Sequence, residues 1–183
     1  MRIVAGEFKG KPLKMPKGTR FRPTSGKVKE ALFSMIDARL PGAVCLDLFA
    51  GSGSLGLEAI SRGATRCYFC DAAKESLALV RENIARCGAQ PRSFLINGPY
   101  TKALCALPEK ADIIFLDPPY EKKLLMDCIA AISEKNVLAE GGIIVAEHAK
   151  DAELPETIGE FSKRKEKKYG NIRLTLYGFA FDS

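Results

Sequence analysis

Apolar residues follow two rhythms along this chain, and their alternation predicts the fold. Val28, Leu32, Met35 and Ile36 fall at helical spacing behind Thr24 or Ser25, either of which can cap a helix N-terminus. A run of strand and helix patterns follows. AVCLDLF (43–49) reads as a strand, and a helix runs from about Ser54 to Arg62, stopping at Gly63. RCYFCD (66–71) is the next strand, before a helix with Leu77, Val80 and Ile84 on one face and Gly88 past its end. RSFLIN (92–97) and ADIIFLD (111–117) are strands with a short helix around 101–106 between them. Leu125, Ile129 and Ile132 mark a helix over 122–135, and GIIVAEH (142–148) is the fifth strand. In KRKEKKYGNIRLTLYGF, two strands meet at a tight turn on Tyr169-Gly170-Asn171, with Ile172, Leu174 and Leu176 alternating on the second. The expected fold is α/β: a doubly wound, mostly parallel seven-stranded sheet that ends in an antiparallel hairpin. Residues 1–16, short, basic and punctuated by Gly and Pro, read as a β-ribbon or an extended arm.

Composition narrows the class. With 183 residues, 46% hydrophobic and 27% charged, the chain suits one globular domain with a full core. No apolar run approaches the roughly 18 residues of a membrane span, and MRIVAGEFKGKPLK lacks a secretory apolar core. A cytoplasmic protein with no membrane partner is the expectation. The net charge of +6 is unevenly spread: residues 1–39 hold ten Lys/Arg against three acids, and Phe161 to Arg173 six against one. The stretch between, residues 40–149, holds eleven against thirteen. Most charge runs are solvated surface. Two basic segments flanking an acidic middle also fit a polyanion footprint beside a separate ligand site.

Cys67-Tyr-Phe-Cys70 has metal-motif spelling, yet residues three apart on a strand face opposite ways, and no second Cys/His pair completes a site. No metal is expected. All six cysteines read as reduced and mostly buried thiols, and the single histidine, His148, reads as structural.

The chemistry begins at DLFAGSGSLG, Asp47 to Gly56, which contains G-x-G-x-x-G after a strand. A dinucleotide loop would present a helix N-terminus to a pyrophosphate. Here an acid ends the strand, and a carboxylate there would repel that doubly charged group. It suits a ligand carrying an ammonium and a sulfonium, S-adenosylmethionine, with the glycines allowing close backbone approach. Asp71 ends the second strand, where an acid holds ribose hydroxyls.

Asp117-Pro-Pro-Tyr120 ends the fourth strand. An exocyclic base amine is a poor nucleophile because its lone pair is delocalised. The Asp117 carboxylate and Pro118 carbonyl can accept both amine hydrogens and turn the lone pair toward a methyl group. Pro118 and Pro119 hold the loop extended and remove competing backbone donors, and Tyr120 offers a face on which a base can stack. Rate would come from alignment and charge stabilisation.

These motifs, with MRIVAGEFKGKPLK, RPTSGKVKEALFSMI, LDLFAGSGSLGLEAISRG, EHAKDAELPE and RKEKKYGNIRLTLY, resemble the RsmD family of bacterial 16S rRNA guanine-N2 methyltransferases, YlbH-type members included. The resemblance covers almost the whole chain. It implies a Rossmann-like class I S-adenosylmethionine-dependent methyltransferase over residues 1–183, with a basic N-terminal extension and lid helix (1–39) and a catalytic core (40–183). Asp47, Phe49, Gly51, Ser52, Gly53, Asp71 and Asn97 are then the cofactor residues. Asp117, Pro118, Pro119 and Tyr120 hold the target guanine. Arg22, Pro23 and Thr24 belong to the closing segment. Lys9, Lys11, Lys14, Lys17, Arg20, Arg22, Thr24, Lys163, Arg164, Lys165, Lys167 and Lys168 would contact 16S rRNA, or a small-subunit assembly particle, through a monomer. Two departures stand out. Gly98 replaces an acid common after the third strand, so Asn97 or a backbone carbonyl must take the adenine amino group, and Gly26 replaces an acid of the closing segment.

Three rivals remain. A DNA adenine-N6 methyltransferase shares the DPPY chemistry but needs a target-recognition domain that 183 residues do not accommodate. A non-catalytic nucleic-acid-binding module would be expected to lose DPPY and the cofactor loop first. A nicotinamide oxidoreductase is disfavoured by Asp47.

Overall fold

Helices and strands alternate from Gly26 onward because apolar stripes at helical spacing alternate with short, doubly buried runs. The computed structural model describes residues 1–18, 25–119 and 122–181. The helices are α1 (Gly26–Ile36), α2 (Ser54–Ser61), α3 (Lys74–Cys87), α4 (Tyr100–Ala106) and α5 (Lys122–Lys135). The strands are β1 (Val44–Asp47), β2 (Arg66–Asp71), β3 (Ser93–Asn97), β4 (Ala111–Leu116), β5 (Leu138–Ala149), β6 (Thr157–Ile158), β7 (Phe161–Tyr169) and β8 (Ile172–Phe179). They form one eight-stranded sheet in the order β3-β2-β1-β4-β5-β8-β7-β6. Strands β1 to β5 pair in parallel, and β8, β7 and β6 follow antiparallel.

Consecutive side chains of the central strands enter opposite cores, as a sheet covered on both faces requires. Cys45, Cys67, Phe69, Ile113 and Phe115 pack on the face covered by α1, α2 and α3. Leu46, Tyr68, Cys70, Ile114 and Leu116 pack on the face covered by α4 and α5. Cys67 and Cys70 therefore point into different cores. Five of the six thiols are buried, Cys105 is exposed, and all six are free.

Two differences from the hydropathy reading have local causes. Strand β5 begins at Leu138, ahead of Gly141-Gly142, and a register shift against β4 between Ala111 and Ile113 absorbs the irregularity. The eighth strand, β6, has two residues and is too short to leave a periodic signal.

The N-terminal segment is a closed ribbon on the protein's surface. A bridge pairs Arg2 with Pro12, and Ile3, Phe8 and Leu13 are buried in the core beneath it. Its anchor is α2, every residue of which is buried. The Glu58 carboxylate accepts from the Val4 and Ala5 amides, and Ser61 Oγ accepts from Phe8 and donates to the Ala5 carbonyl. A Cβ on Gly6 would lie 1.9 Å from the Ser61 carbonyl oxygen, so only glycine fits there. Beneath the ribbon, Lys29 Nζ lies 3.1 Å from Glu58 Oε2 with both side chains fully buried, and it also donates to the Arg2 carbonyl and Ser54 Oγ. Burial pulls the Lys29 pKa down, and the Glu58 charge resists that shift. Removing one partner from such a pair typically costs about 3–5 kcal/mol.

Candidate active site

Three acids stand at the carboxyl ends of three neighbouring strands: Asp71 closes β2, Asp47 closes β1, and Asp117 follows β4. In an open α/β sheet this edge is where ligands bind. Here it forms the floor of a cleft of about 640 Å³. The turn from Leu48 to Ser52, with Ser54 and Leu55 of α2, makes one wall. Asp71, Ala72, Ala73 and Ser76 make the next, and Gly98, Pro99 and Tyr100 the far side. Asp117, Pro118, Pro119 and Leu124 form the rim, and Met1, Met15 and Pro16 of the N-terminal segment face them.

The glycine loop takes its shape from its sequence. Gly51 (φ 57°) and Gly53 (φ 81°) adopt the left-handed conformation, and Gly53 precedes the first residue of α2. Gly56 serves packing: a Cβ there would lie 2.3 Å from the Phe69 ring, so its absence lets α2 sit on β2.

Asp47 is the electrostatic oddity of the cleft. It is 1% exposed, and neither carboxylate oxygen has a hydrogen-bond partner among the described residues. Burial raises its pKa to about 7, with a smaller push from Asp71. The Gly56 and Phe49 amides lie close enough to temper the shift without reaching hydrogen-bond geometry. An unpartnered buried carboxylate in a cleft wall is a costly arrangement that a cationic ligand would satisfy. Asp71 is held differently. Its Oδ2 accepts from the Gly51 amide at 3.0 Å and its Oδ1 from the Ala73 amide at 2.9 Å, so it braces the loop while facing the cleft.

The structure brings Asp47, Phe49, Gly51, Ser52, Asp71, Asp117, Pro118 and Pro119 to this one cleft. Gly53 lies behind the wall, 3.2 Å from a Val80 methyl when a Cβ is built on it. Asn97 is not among the lining residues: its amide donates to the Asp71 carbonyl at 3.3 Å. Next to it, a Cβ on Gly98 would lie 2.6 Å from Lys102 Cδ, so the Lys102 stem occupies the space an acidic side chain would leave through. Tyr120, Arg20, Arg22, Pro23 and Thr24 lie outside the described residues. Ser25 caps α1, its side chain accepting from the Val28 amide.

Sequence reasoning missed four contributors. Tyr100 packs its ring 6.2 Å from that of Phe49, giving the cleft an aromatic wall. Met15 and Pro16 reach the cleft because the ribbon folds back over α2 and α3. Asn83, wholly buried on α3, joins the Ser52 carbonyl to Lys14. A polar residue within the Val80, Ile84, Cys87 stripe was the available signal.

The basic residues split into two sets. Lys14 pairs with Glu82 at 2.9 Å, and Lys11 donates to the Cys87 carbonyl. Lys163 is 13% exposed, pairs with Glu156 and Glu166, and donates to the Leu154 carbonyl; Arg164 donates to the Phe179 carbonyl. Lys9, Lys17, Lys165, Lys167 and Lys168 are exposed and carry no ion pair among the described residues. His148 Nε2 lies 2.8 Å from the Thr175 hydroxyl in the interior. No group of three or more His, Cys, Asp or Glu among the described residues could hold a metal, and no described helix is long and apolar enough to cross a membrane.

Comparison with known proteins follows the same outline. Residues 1–178 match the family model described as "Conserved hypothetical protein 95". The chain is 39% identical over 180 residues to "Putative rRNA methyltransferase YlbH" of Bacillus subtilis strain 168, covering 97% of this chain and 98% of that protein. It is 31% identical over 177 residues to "Ribosomal RNA small subunit methyltransferase D" of Escherichia coli K12, covering 97% and 89%. Among solved structures, "Putative methyltransferase yhhF from Escherichia coli" superposes with a TM-score of 0.88 at 30% identity, covering 98% of this chain and 97% of that one.

Proposed function

This chain belongs to the RsmD family, and from that premise we propose that it methylates the exocyclic N2 amine of a guanine in 16S ribosomal RNA of the small subunit, using S-adenosylmethionine. The observation that carries the reading is the pairing of Asp47 with Asp117 in one cleft: an orphaned, buried carboxylate beside a glycine loop, and a second acid at the proline-stiffened rim.

The residues present fit the cofactor. Asp47 supplies the anion that a methionine ammonium would neutralise, and Asp71, fixed by two backbone amides, faces ribose hydroxyls. The turn at Gly51 brings backbone close to the ligand without side-chain obstruction, since a Cβ built there meets nothing within 4 Å. Phe49 and Tyr100 give the cleft an apolar end suited to an adenine ring. When bound, the cofactor supplies a methyl group activated by attachment to a sulfonium.

The remaining work belongs to the chain's own groups. Asp117 and the Pro118 carbonyl accept the two amine hydrogens and aim the nitrogen lone pair into the cleft. Asp117 also stabilises positive charge as it develops on the amine, and holding an acceptor in place ahead of that moment is where enzymes gain rate. Leu124, Met15 and Pro16 restrict water at the rim. The exposed lysines of the ribbon and of β7 contact RNA phosphates, and the protein works in the cytoplasm, where its substrate is assembled.

The test is product identity. Purified protein and methyl-labelled S-adenosylmethionine, offered 16S rRNA in one reaction and duplex DNA in another, should yield label in N2-methylguanosine of the RNA. Label in N6-methyladenine of DNA would support the adenine-directed rival, and saturable NAD binding without S-adenosylmethionine binding would overturn the cofactor assignment.

A further inference from the structure

Ser54, the first residue of α2, lines the cleft with only 9% of its surface exposed. Its Oγ accepts from Lys29 Nζ at 3.2 Å, and among the described residues that is its one hydrogen bond. A hydroxyl is a donor as well as an acceptor. With Lys29 donating to a lone pair, the Ser54 proton is left for an acceptor, and the cleft is the open side. Gly53 stands at the N-cap of α2 and has no side chain to serve it, so the first amides of the helix add to the surplus of donors.

The charge behind Ser54 is positive. Glu58 is shared by two cations, Lys29 Nζ at 3.1 Å and Arg62 Nε at 3.0 Å, and the Lys29 and Glu58 side chains are fully buried. Asp37, the other acid of the group, is exposed and reaches Arg62 at 3.6 Å, where water screens it. Two cations against one buried carboxylate leave a positive excess beneath the start of α2, and the helix dipole has the same sense there. Across from it lies Asp47, buried and without a hydrogen-bond partner among the described residues. The Gly56 amide, two residues on from Ser54, is close enough to Asp47 to pull against its raised pKa, so the acid and the serine are neighbours in the cleft.

A donor backed by cations, beside an orphaned carboxylate, is the complement of a zwitterion. S-Adenosylmethionine ends in one, with an ammonium and a carboxylate on the same carbon. We infer that the Ser54 hydroxyl holds the carboxylate of the cofactor, with Lys29 as the positioning residue that leaves its proton facing the cleft. This rests on the cofactor reading above, which gives the ammonium to Asp47 and the ribose to Asp71 and leaves the carboxylate unassigned. Lys29 also donates to the Arg2 carbonyl, so one buried ammonium joins this subsite to the N-terminal ribbon.

Calorimetry with two stable ligands tests the assignment: S-adenosylhomocysteine, and S-adenosylthiopropylamine, which is the same molecule without its carboxylate. Both keep the ammonium and the adenosine. Wild type should bind S-adenosylhomocysteine about 10- to 100-fold more tightly, the usual worth of a hydrogen bond to a charged group. Ser54→Ala should weaken S-adenosylhomocysteine, leave S-adenosylthiopropylamine little changed, and so narrow the ratio by about 10-fold. Lys29→Gln keeps a donor without the charge and leaves Glu58 its pairing with Arg62; it should narrow the ratio by a smaller factor, about 3-fold. Thermal midpoints report whether the variants are folded. A wild type that binds the two ligands equally overturns the inference, and this arm needs no variant. An unchanged ratio in Ser54→Ala also overturns it, because a merely structural role would weaken both ligands together. An unchanged ratio in Lys29→Gln overturns the positioning role of Lys29. A wild type that binds neither ligand, nor S-adenosylmethionine, instead overturns the cofactor reading on which the inference rests.

Discussion

Asn83 Nδ2 lies 2.8 Å from the Ser52 carbonyl and 2.8 Å from the Lys14 carbonyl, and its Oδ1 accepts from the Lys14 amide at 2.8 Å. One buried amide on α3 thus ties the glycine loop to the basic ribbon. The next two residues of that ribbon, Met15 and Pro16, line the cleft.

Asn83→Ala should loosen both at once. It leaves a donor and two acceptors without this partner, at about 1–3 kcal/mol for each group that stays buried. Calorimetry should show weaker S-adenosylmethionine binding alongside a lowered thermal midpoint. Asn83→Asp keeps the acceptor for the Lys14 amide but sets a buried carboxylate oxygen against the Ser52 and Lys14 carbonyls, and should cost at least as much as alanine. An alanine variant with unchanged cofactor affinity would show that the loop holds its shape unaided.

Asp47 predicts a pH signature of definite sign. Its pKa is raised from 3.8 to about 7 in the folded chain, so between those values the folded state binds a proton that the unfolded state has lost. Its contribution to the ligand-free protein's stability is therefore full below about 4, declines as pH rises, and is gone above about 7. Cofactor affinity should move the other way, rising through the same window as the carboxylate that holds an ammonium becomes ionised. Asp47→Asn should be more stable than wild type at pH 8 without ligand, bind the cofactor more weakly, and flatten both trends. Thermal midpoints and calorimetric titrations at pH 5, 6, 7 and 8, taken as differences between wild type and variant, check the sign.

The basic residues should divide by their partners. Reversing the charge of Lys9 and Lys17 should flatten the log–log salt dependence of RNA affinity, by roughly one unit for each phosphate that is no longer neutralised. Lys163→Ala should instead lower stability, because it removes the cation that joins Glu156, Glu166 and the Leu154 carbonyl. Salt titrations of RNA binding and thermal melts of both variants separate the roles. An unchanged slope in the Lys9/Lys17 variant would place the RNA on another face.

The parts of this molecule that were legible in its sequence are those written locally. The strand-end acids, the glycine loop and the two prolines after Asp117 are punctuation at element ends, and alternation of apolar rhythms marked out the parallel sheet and its terminal hairpin. What stayed hidden depends on partners distant in the chain. Lys29 and Glu58 find each other across the ribbon, and Asn83 meets Lys14 only once that ribbon has folded back. The ion pairs of Lys14 and Lys163 were hidden as well, because a lysine's charge is visible in a sequence and its partner is not. One clue was available: Lys29 lies on a helical stripe with Phe33 and Ile36, and a lysine there has to be buried against a carboxylate.

The division of labour among the strand-end acids is the core of the account, and Asp117→Asn tests it in one sample. Calorimetry on the variant should give an S-adenosylmethionine affinity close to that of wild type, because Asp47 and Asp71 hold the cofactor. Methyl transfer to 16S rRNA by the same preparation should fall by about 10²–10³-fold or more, the typical loss when one oriented partner of the developing charge is removed. Turnover at the wild-type rate with intact cofactor binding would contradict the account.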